Sequence, residues 1–381
     1  MSTEKRYVFN FWIATVFIYL FIKMYNLLGK PIVDSKVQLL ILYFVYGLGV
    51  VIAALYGRLV ISQFAFRNIL FVIFGVISTL LFGLSRSNLF QNIITMSFWL
   101  VVMLVCYSCN EILRQSRFVV NLMLIFDLLM SVSFYVALIT GGQEGVDSVN
   151  AVYFIACLFP VIFLDANKYL KLVVVMSSAA CVLLSGKRTA LIVLVLAFAV
   201  PYLFKLLHSN ANNKVKSILI LILLSLLVIY LYDYLLKKFD LTIFDRFSNI
   251  AEDGGSGRID IYKAVIASFK ESGFLNKLFG HGFNGVFLSG ITYTSAHNDF
   301  LEVLYDFGII GEIFYLCLVV GMISTASKLL KRRAKTSLAV VSAIMVFICM
   351  STTSHLIIYP TYFIYIILFI MMGQSELLGR N

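Results

Sequence analysis

Runs of apolar residues, repeated along nearly the whole chain, constrain this sequence more than any motif does. Most of the runs are about 17–25 residues long, which is the length of helix that crosses the hydrocarbon core of a bilayer. Of the 381 residues, 61% are hydrophobic and 13% are charged, and the mean hydropathy is +0.97. The runs lack the short alternating pattern of a membrane β-barrel. The sequence therefore predicts an all-α, polytopic membrane protein.

Twelve of these apolar segments are predicted to cross the membrane. The basic cluster KRRAK at 331–335 marks its loop as cytoplasmic, because Lys and Arg gather in loops that stay on that side. Counting from this loop places both termini in the cytoplasm and residues 236–297 outside. The predicted spans are 8–28, 37–56, 68–84, 93–109, 118–140, 151–165, 170–185, 189–206, 217–235, 308–328, 337–356 and 360–373.

The net charge of +11 is expected to reflect these cytoplasmic loops, so we predict no nucleic-acid partner. Two outward-facing regions depart from the charge rule. Lys187 and Arg188 lie in a short turn between two predicted spans, and the long outer loop carries Arg246 and Arg258 among other basic residues. Long loops cross the membrane whatever their charge, which explains the second region, but a short outward turn should be poor in Lys and Arg. The turn therefore indicates a functional role for Arg188.

The outer loop contains a predicted amphipathic helix that begins after Ser256 and Gly257. Its apolar positions recur at helical spacing, and we expect the helix to lie along the membrane face. Arg258 falls in the first turn, where a cation is disfavoured by the helix dipole. Free N–H groups at that end, together with the guanidinium, would make a phosphate site. A solvated arginine is an equally good explanation. The apolar positions are Ile259, Tyr262, Val265, Ile266 and Phe269.

Glycines follow this helix in the sequence GHG at 280–282 and again at Gly285. The spacing matches a dinucleotide fingerprint, but no strand precedes it, so that interpretation fails. The glycines instead predict a tight turn. His281 is then either a sugar contact or, more commonly for such a position, a turn residue.

The segment TSAHNDFLEVLYDFGIIGE at 294–312 predicts a short interfacial helix that leads into the next span. Asp299, Glu302 and Asp306 share one face of this helix, and Gly308 with Gly311 would allow a close bend. His297 precedes the helix at its outer end. An accessible histidine can titrate near neutrality and act as a general base, although a lone histidine is more often structural.

Together these motifs resemble the O-antigen polymerase and ligase family, membrane glycosyltransferases of bacterial surface-polysaccharide assembly. The resemblance covers the topology of nearly the whole chain, and its motifs are specific over about residues 185–312. The strongest motif is the HN…G-[IL]-[IL]-G run. The matching segments are SGKRTA at 185–190, SGR at 256–258, GHG at 280–282 and HNDFLEVLYDFGIIGE at 297–312.

The resemblance implies a GT-C-like helical fold in the bacterial inner membrane, with its site on the periplasmic side. It divides the chain into helices one to nine (1–235), a periplasmic loop with amphipathic helices (236–307), and helices ten to twelve with a cytoplasmic C-terminus (308–381). The donor it implies is an oligosaccharide on undecaprenyl diphosphate. No nucleotide sugar, metal or cofactor is expected.

The resemblance also assigns roles residue by residue. Arg188 and Arg258 correspond to arginines that hold the diphosphate, and His297 to the histidine that activates the acceptor hydroxyl. Lys187 stands where the family more often has a small or polar residue, which leaves open whether it binds the phosphate or only flanks it. The candidate further substrate contacts are Asn298, Arg246 and His281.

Three functions remain open at this stage. A polymerase would transfer the growing glycan to the non-reducing end of a lipid-linked repeat unit, with a chain-length regulator as a candidate partner. A ligase would transfer it to lipid A–core. We favour the polymerase because the Ile-, Phe-, Tyr- and Asn-rich composition resembles that of divergent polymerases. A flippase should carry charges inside its spans, where Lys23 and Asp127 are the clearest; Lys23 is expected to reach toward the membrane surface and Asp127 to join two helices.

Overall fold

The computed structural model describes residues 3–29, 32–57, 62–84, 88–114, 116–140, 150–207, 257–357 and 359–379. These residues form helices and connecting turns, with no strand among them. The helices are α1 (Thr3–Leu27), α2 (Ser35–Tyr56), α3 (Gln63–Phe82), α4 (Leu89–Ser108), α5 (Asn110–Arg114), α6 (Arg117–Ile139), α7 (Val152–Leu158), α8 (Lys168–Ser185), α9 (Arg188–Leu207), α10 (Arg258–Glu271), α11 (Phe274–Phe279), α12 (Gly285–Leu288), α13 (Asp299–Lys331), α14 (Ser337–Thr353) and α15 (Pro360–Leu378).

The described helices confirm the prediction of an all-α polytopic membrane protein. Nine of them are long and apolar enough to cross a bilayer, and two shorter apolar helices cover Val152–Phe163 and Ser337–Thr353. These eleven correspond to eleven of the twelve predicted spans. The remaining prediction, 217–235, lies outside the described residues.

Side-chain caps explain where several of these helices begin. A helix leaves its first N–H groups without intrahelical partners, and a short polar side chain can accept from them. Such a cap matters most near a membrane, where an unpaired backbone group is costly. The capping side chains are Asp34, Ser62, Ser116, Asn167 and Asn298.

Helix α15 is the most buried of the nine long helices, and 78% of the residues in its most apolar 18-residue stretch are buried inside the protein. It packs against α4, α14 and α13. Aromatic rings fill the space between them: Phe363 contacts Trp99 of α4 with ring centroids 5.1 Å apart and Phe347 of α14 at 5.6 Å. A polar tie joins α6 and α8, where the hydroxyl of Ser178 donates to Asp127 Oδ1 at 2.9 Å. The prediction that Asp127 joins two helices is therefore confirmed.

Helix α13 bends sharply at Gly308, as predicted from its glycines. Gly308 has φ 67° and ψ −171°, a conformation that is essentially restricted to glycine. A Cβ added there would lie 2.7 Å from the amide nitrogen of Gly280. The GHG turn packs against the bend: the N–H groups of His281 and Gly282 donate to the carbonyls of Tyr305 and Asp306 at 3.1 and 2.8 Å. The turn thereby satisfies carbonyls whose helical partners would lie beyond the bend.

The polar face predicted for an interfacial helix at 299–307 does not face water. Asp299, Glu302 and Asp306 are all buried, with at most 1% of each residue exposed. Each carboxylate accepts hydrogen bonds from backbone N–H groups of neighbouring loops. A buried carboxylate is stable only with such partners, and the partners of Asp299 and Asp306 are too distant in sequence for the local pattern to reveal them.

The segment 257–298 packs against α13 through α10. Ile261 and Val265 of α10 are buried in a small cluster with Val286, Ala296 and Tyr305. Ile259 and Ile266, two positions of the predicted apolar face, are 51% and 39% exposed. Helix α10 therefore turns Ile261 and Val265 toward α12 and α13, and the position of its apolar face along the membrane stays a prediction.

Candidate active site

A cavity of about 1420 Å³ brings together the residues that the sequence motifs single out. Lys187, Arg188, Arg258 and His297 all line it, although they come from separate parts of the chain. The turn between α8 and α9 supplies the first two residues, α10 supplies the third, and the segment before α13 supplies the histidine. The other walls come from α1, α2, α4, the start of α7, and the connection between α14 and α15.

Both arginines occupy the first residue of a helix that follows a left-handed glycine. Gly186 has φ 64° and ends α8, and two residues later Arg188 begins α9. Gly257 has φ 75° and directly precedes Arg258 at the start of α10. Each turn places an arginine at the N-terminus of a helix, an end that favours anions. Two such ends therefore meet at the cavity.

The cavity wall carries two further cations, Lys23 of α1 and Lys36 of α2. Lys23, expected at the membrane surface, is thus a lining residue. Among the described residues that line the cavity there is no Asp or Glu. This part of the wall is therefore strongly basic, as expected for a site that takes an anionic group.

His297 belongs to a column of stacked rings. It has φ 52°, and its ring lies 5.0 Å from that of His355, with 25° between the planes. His355 in turn stacks on Tyr359 at 4.5 Å. Hydroxyls orient both imidazoles: Thr294 Oγ1 lies 3.4 Å from Nε2 of His297, and Ser295 Oγ lies 3.1 Å from Nδ1 of His355.

The expectation that His297 is accessible and titrates near neutrality is wrong, and both imidazoles are neutral at neutral pH. Burial, followed by the cations of Arg258 and Lys187, lowers the pKa of His297 to about 4. Burial also lowers the pKa of His355 to about 3, with further contributions from His297 and Arg258. A neutral imidazole can accept a proton, so the ring column places a base in the cavity that two arginines also line.

His355 and Tyr359 were missed in the sequence analysis. They lie in the connection between α14 and α15, where Ser354 also lines the cavity, together with Thr353 at the end of α14 and Thr361 at the start of α15. The predicted topology contained a usable signal, because it placed the end of the span 337–356 on the same side of the membrane as His297. The sequence alone does not indicate that these two ends touch.

Of the remaining candidate substrate contacts, the two in the described part of the chain are not lining residues. Asn298 caps α13, where its Oδ1 accepts from the N–H groups of Phe300 and Leu301 at 3.0 and 3.3 Å. His281 is buried and stacks on Tyr305 at 4.2 Å. Neither residue is among those that line the cavity. Arg246 lies outside the described residues.

Comparison with known families bears on this geometry. Residues 172–316 match the model of a family described as O-antigen ligase. This segment resembles an O-antigen ligase domain. The match confirms the resemblance to the O-antigen polymerase and ligase family, whose members are glycosyltransferase-like enzymes that act on lipid-linked polysaccharides in a membrane. No curated protein matches the chain.

The matched segment contains the cavity residues Lys187, Arg188, Arg258 and His297. It does not contain His355, Lys23 or Lys36, which reach the same cavity from parts of the chain outside the matched segment. The cavity is therefore assembled from the matched segment together with other elements, among them α1, α2 and the connection between α14 and α15.

Proposed function

We propose that this protein is an O-antigen (surface polysaccharide) polymerase. It takes a growing glycan from undecaprenyl diphosphate and transfers it to the non-reducing end of a lipid-linked repeat unit. The reaction takes place on the periplasmic side of the bacterial inner membrane, where the loop 236–307 lies, and both termini are cytoplasmic. The fold is GT-C-like.

One observation carries this proposal. Two guanidiniums, an ammonium and a neutral imidazole line the same cavity, and three separate parts of the chain supply them. Arginines suit the diphosphate because a guanidinium binds phosphate oxygens in a bidentate fashion. The imidazole suits the acceptor hydroxyl, from which a base must take a proton. The stacked rings of His297, His355 and Tyr359 offer a flat surface for a sugar.

The chemistry is a direct displacement at the anomeric carbon. The acceptor hydroxyl oxygen forms the new bond to that carbon while the bond to the diphosphate oxygen breaks, so the configuration is inverted. His297 accepts the hydroxyl proton, and Arg188 and Arg258 neutralise the charge that develops on the departing diphosphate. Lys187 contributes to the same positive field.

In this mechanism the arginines take over the charge neutralisation that a divalent metal provides in many nucleotide-sugar enzymes, so we predict metal independence. Purified protein with defined lipid-linked repeat units, assayed with and without EDTA, tests this directly. Equal activity in both conditions is expected. Loss of activity with EDTA that returns on adding Mg²⁺ would contradict the metal-free mechanism.

The ligase is the second candidate, because the matched family is described as O-antigen ligase. Alanine variants of Arg188, Arg258 and His297 in cells separate the functions. A polymerase defect leaves a single repeat unit on the lipid core, whereas a ligase defect leaves none. A defect in a flippase, the alternative of another class, would leave the lipid-linked unit on the cytoplasmic side.

A further inference from the structure

The two histidines of the cavity come from segments far apart in the sequence, and a buried carboxylate is among the groups that join these segments, together with the bond between Ser295 Oγ and His355 Nδ1. His297 lies two residues before α13, and His355 lies in the connection between α14 and α15. Asp299 is the first residue of α13. It is completely buried and bonds to the connection that carries His355.

Four donors converge on the carboxylate of Asp299. The N–H of Leu356 donates to Oδ1 and Oδ2 at 2.9 and 3.1 Å, and the N–H of Ile357 donates to Oδ1 at 3.2 Å. The hydroxyls of Ser351 and Tyr315 donate to Oδ2 at 2.9 and 3.4 Å. Leu356 directly follows His355, so the carboxylate fixes the backbone next to the second imidazole.

Weaker bonds join the same two segments from the other side. The side-chain amide of Asn298 donates to the carbonyl of Thr352 at 3.3 Å. The hydroxyl of Tyr262 lies within hydrogen-bond distance of both segments, 3.3 Å from the carbonyl of His297 and 3.4 Å from that of Thr352. These contacts lie at the exposed edge, and Asp299 holds the buried side.

We propose that Asp299 is a positioning residue that holds the His355 segment against the His297 segment and so fixes the orientation of the stacked imidazoles. Asp299 does not line the cavity and is not expected to touch substrate. The catalytic consequence rests on the proposed function above. The consequence for the position of the rings does not depend on any activity.

Asp306 supplies a matched control on the same helix. It is also buried, and its carboxylate accepts from the N–H groups of Asn284, Gly285 and Val286 at 2.6, 2.8 and 3.2 Å. Residues 284–286 do not line the cavity. The nearest imidazole along that loop is His281. Loss of Asp306 should therefore loosen a different loop at a similar energetic cost.

The test compares Asp299→Ala and Asp299→Asn with Asp306→Ala and Asp306→Asn. Each purified variant is treated with diethyl pyrocarbonate at pH 7, and the modification rate of each histidine is followed by mass spectrometry. Asn at 299 keeps one acceptor for the Leu356 N–H and turns its amide toward hydroxyls that can accept. The Asn variant is therefore expected to retain part of the wild-type behaviour, and it provides the test where the Ala variant purifies poorly.

We expect Asp299→Ala to raise the modification rates of His297 and His355 severalfold and to leave that of His281 unchanged, with the reverse pattern in Asp306→Ala. In the transfer assay, kcat of Asp299→Ala should fall by about 10²-fold, the scale of a small misplacement of catalytic groups. KM for the lipid-linked donor should change little, because the arginines remain in place.

Two contrary results have different meanings. Unchanged rates at His297 and His355 in folded Asp299 variants would overturn the positioning role, whatever the activity. Raised rates in a protein whose wild type transfers no glycan would leave the positioning role standing and contradict the proposed function. A fall in kcat of equal size in the Asp306 variants would also overturn a role specific to Asp299.

Discussion

The cavity wall and the layer behind it use opposite kinds of ionisable side chain for different purposes. The wall carries Lys23, Lys36, Lys187, Arg188 and Arg258. Behind it, three carboxylates on one face of α13 are buried and accept hydrogen bonds from backbone N–H groups. The carboxylates are Asp299, Glu302 and Asp306.

This separation indicates that the cations are arranged for a ligand and the carboxylates for the architecture. A carboxylate placed among the cations would compete with an anionic substrate. A carboxylate in the layer behind the wall can order loops without entering the site. Glu302 illustrates the second role, since its Oε2 accepts from the N–H of Ala296 at 2.6 Å, next to His297. Changes in the wall should therefore alter activity, and changes in the layer behind it should alter stability.

The largest effect on the wall is expected from His297→Ala. Loss of a general base typically lowers the rate by about 10²–10⁴-fold, and the melting temperature should change little because the ring is only partly buried. Single-turnover transfer with purified protein measures the effect. His281→Ala is the control, and it should lower stability more than activity because His281 is buried against Tyr305.

Next in size are Arg188→Ala and Arg258→Ala. Removing one donor that stabilises developing negative charge costs about 10²–10³-fold in kcat. Lys263→Ala is the matched control for Arg258, because Lys263 lies on the same helix and forms an exposed ion pair with Asp260 at 3.9 Å. Equal losses in Lys263→Ala and Arg258→Ala would mean that general surface charge, and not the cavity, matters.

Behind the wall, Gly308→Ala should lower stability. The residue would have to adopt positive φ, which costs roughly 1–2 kcal/mol for a non-glycine residue, and its Cβ would overlap the backbone of Leu278. Gly273→Ala is the control, because Gly273 has φ −62° and open space around the added Cβ. Thermal unfolding in detergent should show a lower melting temperature for the first variant only.

The smallest effect is a shift in pH dependence on replacing Lys187. The ammonium of Lys187 disfavours the imidazolium and so helps to lower the pKa of His297 to about 4. Wild-type kcat/KM should therefore stay constant as the pH falls toward this pKa, and it should decrease below the pKa because the base is then protonated. In Lys187→Ala the pKa rises, and activity should be lost at higher pH. The control is Lys187→Arg, which keeps the positive charge. An unchanged acid limb in the kcat/KM pH profile of Lys187→Ala would mean that Lys187 does not influence the pKa of the base.

Much of this arrangement could be predicted from sequence because it depends on local signals. Spans follow from apolar length, the Gly308 bend from glycine, and the choice of Arg188 as a candidate from a cation in a short turn that is predicted to face outward. The contacts of Asp299 and His355 could not be predicted from sequence. Asp299 bonds to Leu356 and Ile357, which lie in the connection between α14 and α15. Spacing indicated a polar face on α13, but only the tertiary contacts reveal that this face is buried.

The most direct test of the central claim is binding of undecaprenyl diphosphate to purified protein in nanodiscs. The double variant Arg188→Ala/Arg258→Ala is compared with wild type and with the surface control Lys263→Ala/Lys270→Ala, using undecaprenyl monophosphate as the reference ligand. The account predicts that wild type and the surface control bind the diphosphate equally and in preference to the monophosphate, while the cavity variant loses that preference. Equal diphosphate binding by all three proteins would contradict it.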